Sequence, residues 1–116
     1  MKTIGLYIFF TLFLYSASYS THDATAHVGE YATVCGKVYG GYYAVRSKGK
    51  PTFINLDGHY PQQRFTVLIW KEQRHLFYAP ERQWIDKRLC VTGLIEIYRE
   101  IPQIVIYEKN QINIVK

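Results

Sequence analysis

The chain has 116 residues, so one domain with a modest core is the natural expectation. Fourteen Lys and Arg face 9 Asp and Glu, a formal charge of +5. That mild excess suits an anionic partner but is also common on ordinary soluble domains, so charge alone selects no function.

The N-terminal segment has the order of a secretory leader. Lys2 is followed by an apolar run, Ile4 to Leu14, and then by Ser16-Ala17-Ser18-Tyr19-Ser20. The run is too short to span a bilayer comfortably, and small residues at 18 and 20 suit cleavage after Ser20. A signal peptide over residues 1–20 is therefore expected, with the protein exported to a periplasm or secreted; an uncleaved anchor is the alternative. Lys2 leaves with the leader, so 13 basic residues then face 9 acidic ones, a net +4. Residues 21–30 are polar and read as a flexible lead-in, and 31–116 as the folded domain. Cys35 and Cys90 are the two cysteines. In an oxidising compartment a bridge between them is the default, two buried thiols the alternative. The bridge would close a loop of about 55 residues, worth on the order of 4 kcal/mol in the chain-entropy model.

From Tyr31 onward β-branched and aromatic residues dominate, which predicts strands. The first is Ala32–Tyr39, with Gly36 marking a bulge or tight bend. A polar stretch from Gly40 to Lys50 follows. The second strand is Thr52–Leu56, closed by a turn at Asp57-Gly58 and Pro61. The third is Arg64–Lys71, apolar on both faces, so that one face is covered or functional. Glu72 to Asp86 lacks alternation and contains Pro80 before Glu81, a short helix or loop. The fourth strand is Arg88–Tyr98, with Gly93 inside it. A turn at Arg99-Glu100-Ile101-Pro102 leads to the fifth, Gln103–Tyr107, and a tail, Gln111–Val115, in which Ile112 and Ile114 alternate. The fold class expected is all-β, a closed five-stranded barrel with a short helix or loop between strands three and four.

Four segments carry a resemblance: Val34-Cys35-Gly36-Lys37-Val38, Phe53-Ile54-Asn55-Leu56-Asp57, Phe65-Thr66-Val67-Leu68-Ile69-Trp70 and Val91-Thr92-Gly93-Leu94-Ile95. Together they resemble the OB-fold nucleic-acid-binding domain of the tRNA anticodon-binding kind, in a small exported single-domain form. The pattern runs across nearly all of residues 32–107. It departs at Leu56, directly before Asp57, where the family usually carries Arg. The resemblance implies a five-stranded Greek-key barrel and a base stacked on Phe53.

A single-strand binder needs cations for phosphates and flat aromatic faces for bases. In a barrel of this kind the site lies on strands two and three, flanked by the one–two and four–five loops. The one–two loop offers Tyr42, Tyr43, Arg46, Lys48 and Lys50, and the four–five loop Tyr98 and Arg99. If Ile54, Leu56, Phe65, Val67 and Ile69 form the core, then Phe53, Asn55, Arg64, Thr66, Leu68 and Trp70 point outward. Phe53 and Trp70 would stack, and Asn55 would meet a base edge. Each has a structural alternative. Trp70 would equally cap the barrel core, Tyr42 and Tyr43 would equally pack on the barrel end, and the loop cations would equally be a solvated surface.

No catalytic set emerges. His22, His27, His59 and His75 are scattered, no His/Cys pair has metal-ligand spacing, and no phosphate-binding loop or nucleophile elbow occurs. The expectation is a binding module without cofactor or metal, taking single-stranded DNA or RNA or another anionic polymer. A protein- or small-ligand-binding domain of the cell envelope is the alternative, and a secreted nuclease a third. The sequence leaves the oligomeric state open.

Overall fold

The computed structural model describes residues 17–116. Most of the expected leader, including the run Ile4–Leu14, lies outside the described residues. Eight strands form the sheet: β1 (Ser18–Ser20), β2 (Tyr31–Tyr43), β3 (Thr52–Leu56), β4 (Phe65–Ile69), β5 (Arg88–Leu94), β6 (Glu96–Tyr98), β7 (Ile101–Val105) and β8 (Ile112–Val115). The one α-helix among the described residues is α1 (Pro80–Gln83), a single turn with proline in its first positions. The protein is a compact, β-rich domain. The strand order is β6-β7-β4-β3-β2-β5-β8, with β1 paired to β2.

Three differences separate this sheet from the expected five-stranded closed barrel. First, the run 88–98 is two strands, because Ile95 turns a corner there. Its backbone completes the ladder with Glu30, while Glu96 already pairs with Gln103 of β7. Second, residues 18–20 and 112–115 add strands: β1 lies parallel on Thr33–Cys35, and β8 antiparallel on Arg88–Val91. Third, the paired path is open at its ends, β6 and β8. All connections are antiparallel except β1 on β2 and β4 on β7.

The sheet is built around β2. Its first half, Tyr31–Lys37, pairs with β5, and its second half, Val38–Tyr43, with β3. The register shifts between Val38 and Gly40, so the bulge falls at Tyr39 rather than at Gly36. Gly36 has a different duty. A Cβ there would stand 2.7 Å from the Thr21 methyl and 2.8 Å from an Asp57 carboxylate oxygen. That carboxylate accepts from the Lys37 backbone N–H (2.9 Å) and the Thr21 hydroxyl (2.5 Å). Only the missing side chain lets it come so close.

The same contact explains why residues 21–30, expected as a flexible lead-in, fold against the sheet. Thr21 is buried over Gly36, and Ala24, in a short 3-10 helix over Ala24–His27, joins the core. Tyr19 of β1 stacks on His27 at 3.6 Å and donates to Glu30. Ser18–Ser20, at the end of the leader in the sequence reading, are thus part of this packing.

The core follows the expected alternation. Ile54, Leu56, Phe65, Val67 and Ile69 are fully buried, together with Val34, Val38, Leu89, Val91, Ile95, Ile104 and Ile106. Cys35 and Cys90 stand directly opposite in the β2–β5 ladder, Cα atoms 4.1 Å apart, and form a disulfide. The bond pins β2 to β5 at the middle of their pairing and closes a 55-residue separation. Reduction should cost on the order of 4 kcal/mol, seen as a lower denaturant midpoint in the presence of reductant. Equal midpoints with and without reductant would contradict it.

Candidate functional site

A concavity of about 670 Å³ lies across β2, β3, β4 and β7. Its floor is a row of cross-strand neighbours. Gly40 of β2 is opposite Asn55 of β3, Asn55 opposite Thr66 of β4, and Thr66 opposite Gln103 of β7. Side chains alternate along a strand, so a row on one face meets the next row two residues on. That next row carries Tyr42, Phe53, Leu68 and Val105. The row of Ile54, Val67 and Ile104 between them faces the core.

Six expected site residues line this groove: Tyr42, Phe53, Asn55, Thr66, Tyr98 and Arg99. The face is sunken rather than open. Asn55 and Thr66 are only 6% exposed, and Leu68 is buried. The walls stand above them: Tyr42, Tyr60 and Tyr98 are 63%, 75% and 55% exposed. Tyr98 and Arg99 begin a tight turn in which Arg99 and Glu100 both take left-handed backbone, φ 48° and 69°. Neither is glycine or asparagine, so the hairpin holds them there at a cost. The Arg99 guanidinium lies 5.3 Å from the Tyr98 ring centre.

The other six do not line it. Arg46, Lys48 and Lys50 are exposed on the hairpin loop between β2 and β3, whose own turns fix it (Ser47 N to Ala44 O, Lys50 N to Ser47 O). Only Ala44 and Ser47 of that loop reach the groove. Arg64 is exposed and bonds the His22 ring at 3.0 Å. Trp70 packs on the loop, where a Cβ on Gly49 would stand 2.8 Å from its ring; it anchors the loop and is not a wall of the groove. Tyr43 is stacked by the Arg74 guanidinium at 3.6 Å.

Arg74 ties this end of the sheet to α1. It donates to Thr52 Oγ1 (2.7 Å) and, in a two-pronged pair, to Glu81 Oε1 (2.9 Å) and Oε2 (3.2 Å). Burial alone would push the Glu81 carboxyl up. The Arg74 hydrogen bonds and charge, a backbone hydrogen bond and Arg82 outweigh it and hold the pKa below the usual glutamate value.

Groove residues not anticipated from sequence include His59, Tyr60, Gln63 and Gln103. The first three lie in the connection between β3 and β4, which reads as a plain turn. A connection joining two site strands must pass over one end of their shared face, and that was the usable signal. Gln103 becomes visible only through the parallel β4–β7 pairing. Asn55 and Gln103 are buried as residues, but neither side-chain amide has an atom that is both shut off from solvent and without a partner. Gln63, 8% exposed, donates Nε2–H to Thr66 Oγ1 at 3.2 Å, while its buried Oε1 has no partner.

A smaller depression of about 340 Å³ is lined by Tyr31, Leu94, Glu96, Tyr107, Glu108 and Gln111 among others. Among the described residues no three His, Cys, Asp or Glu side chains are grouped to share a metal ion, and no helix is long and apolar enough to cross a membrane. Compared with known proteins, the chain matches no family model and no curated protein.

The Glu81 pair has a pH signature. A carboxyl whose folded pKa is depressed contributes stability above its unfolded pKa, about 4.3 for glutamate, and loses it as pH falls through the folded value. Wild type should therefore lose more stability below about pH 4.3 than Glu81→Gln, measured by denaturant unfolding across acid pH. Parallel pH profiles for the two proteins would contradict the assignment.

Proposed function

We propose that this domain is an exported OB-type barrel that binds single-stranded nucleic acid in the groove across β3 and β4. One observation carries the reading. Four aromatic side chains, Tyr42, Phe53, Tyr60 and Tyr98, converge on a floor of amide and hydroxyl groups with Arg99 at its edge. Flat rings supply stacking faces for bases, and the groove amides of Asn55 and Gln103 supply hydrogen bonds to base edges.

The barrel reading is supported by the topology. The strands β5 and β6 are halves of one run joined through Ile95, yet they lie at separate places on the paired path. Gly93 of β5 comes so close to β7 that a Cβ would stand 2.6 Å from Ile104 Cγ2. The Gln111 amide donates to both Thr92 O (2.9 Å) and Val105 O (3.2 Å), bridging β5 and the end of β7. A sheet curled so that one bent run serves two distant places on the paired path, with a parallel β4–β7 contact, supports the OB reading. Export is supported by the disulfide in a small domain.

Bases enter the groove and stack, Phe53 beneath and the tyrosines beside them. Phosphates stay at the rim, where Arg99 meets one and the loop cations Arg46, Lys48 and Lys50 stand within the surrounding solvent layer. Charge is sparse inside the groove, so stacking carries most of the affinity. The same sparseness favours a second reading, a small neutral ligand with a flat ring.

Fluorescence anisotropy of a labelled single-stranded oligonucleotide tests both. Saturable binding should weaken with salt, with a slope in log K against log salt of about −0.7 to −1.4, the value for one or two phosphate contacts on a single strand. Phe53→Ala should weaken binding by about 1–3 kcal/mol without unfolding the domain, and Lys48→Ala far less. Absence of binding at low salt would overturn the nucleic-acid reading in favour of the small ligand.

A further inference from the structure

The outward face of β2 continues past the end of the groove. Gly40 stands opposite Asn55 of the floor, while Val38 stands opposite Leu56 in the core. Tyr39, the extra residue between them, is exposed, and its ring meets His59 of the groove wall edge to face at 5.2 Å. Lys37 Nζ lies 5.7 Å from the centre of the same Tyr39 ring. Lys37 in turn stands directly opposite Arg88 of β5. Opposed pairs in an antiparallel ladder alternate between a close and a wide kind. This pair is two residues on from Cys35 and Cys90, whose Cα atoms are 4.1 Å apart, so it is of the close kind. Like charges directly opposite each other destabilise a sheet. Lys87 adds an exposed cation next along the chain. The carboxylate beside the pair, Asp86, is 3.9 Å from Lys37, and both side chains are more than half exposed. Such an ion pair is weak. The Asp57 carboxylate sits over Gly36, whose side-chain position falls on the opposite face of β2.

We propose that Lys37 and Arg88 are a phosphate clamp for the strand as it leaves the groove: nucleic acid whose bases stack on Phe53 and the tyrosines passes His59 and Tyr39 and sets its backbone phosphates on this pair. The inference rests on the nucleic-acid reading above. A polyanion supplies the negative charge that the ladder lacks at this point. Continuity fixes the direction. His59, Tyr39, Lys37 and Arg88 are successive neighbours from the groove wall to the cation pair. Arg46, Lys48 and Lys50, by contrast, stand on a loop of which only Ala44 and Ser47 reach the groove. From Gly40 to Lys37 the strand rises roughly 10 Å. The pair is therefore reached by a strand longer than the groove itself holds.

The test is anisotropy across a range of salt with oligo-dT of about 4 and about 12 nucleotides, within the ~4–16 that one OB fold covers. The shorter strand should show the slope of one or two phosphate contacts given above. The longer should be steeper by about 1.4 in log K against log salt, about 0.7 for each of two added phosphates. In the double variant Lys37→Gln/Arg88→Gln the longer strand should fall back to the slope of the shorter, whose own binding is unchanged. Each single variant should remove about half of the added slope. Lys37→Arg/Arg88→Lys keeps both charges and should keep the added slope. Lys109→Gln removes one charge from the short 3-10 turn Lys109–Gln111 and should leave both slopes as they are. Relief of the like-charge pair should leave the double Gln variant melting no lower than wild type; if it does melt lower, the single variants decide. If only the longer strand binds measurably, the loss of about 1.4 from its slope in the double variant decides. Equal wild-type slopes for the two lengths overturn the clamp and leave the groove reading standing. So does an added slope that survives in the double variant, or weaker binding of the shorter strand by that variant. Failure of wild type to bind either strand overturns the nucleic-acid reading itself, and the clamp with it.

Discussion

The structure depends on β2 serving two partners at once. Thirteen residues run from Tyr31 to Tyr43, the first half bonded to β5 and the second to β3. A flat strand cannot do this, since its two halves must face different parts of a curled sheet. The bulge at Tyr39 supplies the local extra twist. Gly36 admits the Asp57 carboxylate onto the backbone and so ties the end of β3 to the same strand. The disulfide fixes the β5 side of the bend. Once β2 is bent, β3 and β4 lie beside its second half, and the row Gly40, Asn55, Thr66, Gln103 becomes the floor of a groove.

That floor is unusual chemically. Asn55, Thr66 and Gln103 lie low among aromatic walls beside Gln63, whose Nε2–H donates to Thr66 Oγ1. The aromatic walls ask little of the ligand beyond a flat face. In the proposed binding mode, affinity and selectivity come from different rows of the same sheet: stacking from the Tyr42–Phe53 row and its neighbours, and edge recognition from the amides. The cations stand outside both, which makes the loop between β2 and β3 a weaker determinant than its composition of tyrosine, lysine and arginine suggests.

Much of the fold was legible in the residues. The strand Thr52–Leu56 has the bounds its alternation predicts, and the five residues assigned inward on β3 and β4 are fully buried. Pro80 starts a helix, as its position before Glu81 implies. What escaped depended on distant contacts. The sequence around Gly36 reads as a bulge, because nothing local reveals that Thr21 and Asp57 meet above it. The polarity of residues 21–30 hides a buried Ala24 and Thr21. Ile95 looks like any strand residue until the pairing on either side of it changes partner. The tail's Ile112 and Ile114 alternate as expected, but their pairing with Val91 and Leu89 is a matter of topology. Of the residues chosen by type, Tyr42, Phe53, Asn55, Thr66, Tyr98 and Arg99 line the groove. The same choice also gathered Trp70 and the loop cations, whose neighbours Gly49 and solvent are set by the turn rather than by their chemistry. Tyr60 and Gln63 were hidden in a connection that carries no periodic pattern.

The central claim is that the groove over β3 and β4 is where a single strand sits. Titrating ¹⁵N-labelled protein with an unlabelled single-stranded oligonucleotide tests it most directly, by following amide shifts in two-dimensional NMR spectra. The account predicts that the backbone amides of Gly40, Gly41 and Thr66, and the side-chain amides of Asn55, Gln63 and Gln103, move together and saturably. Amides around the Tyr31–Tyr107 depression, such as Gly93 and Leu94, should stay still. Shifts confined to Arg46, Lys48 and Lys50, or centred on Gly93 and Leu94, would contradict it.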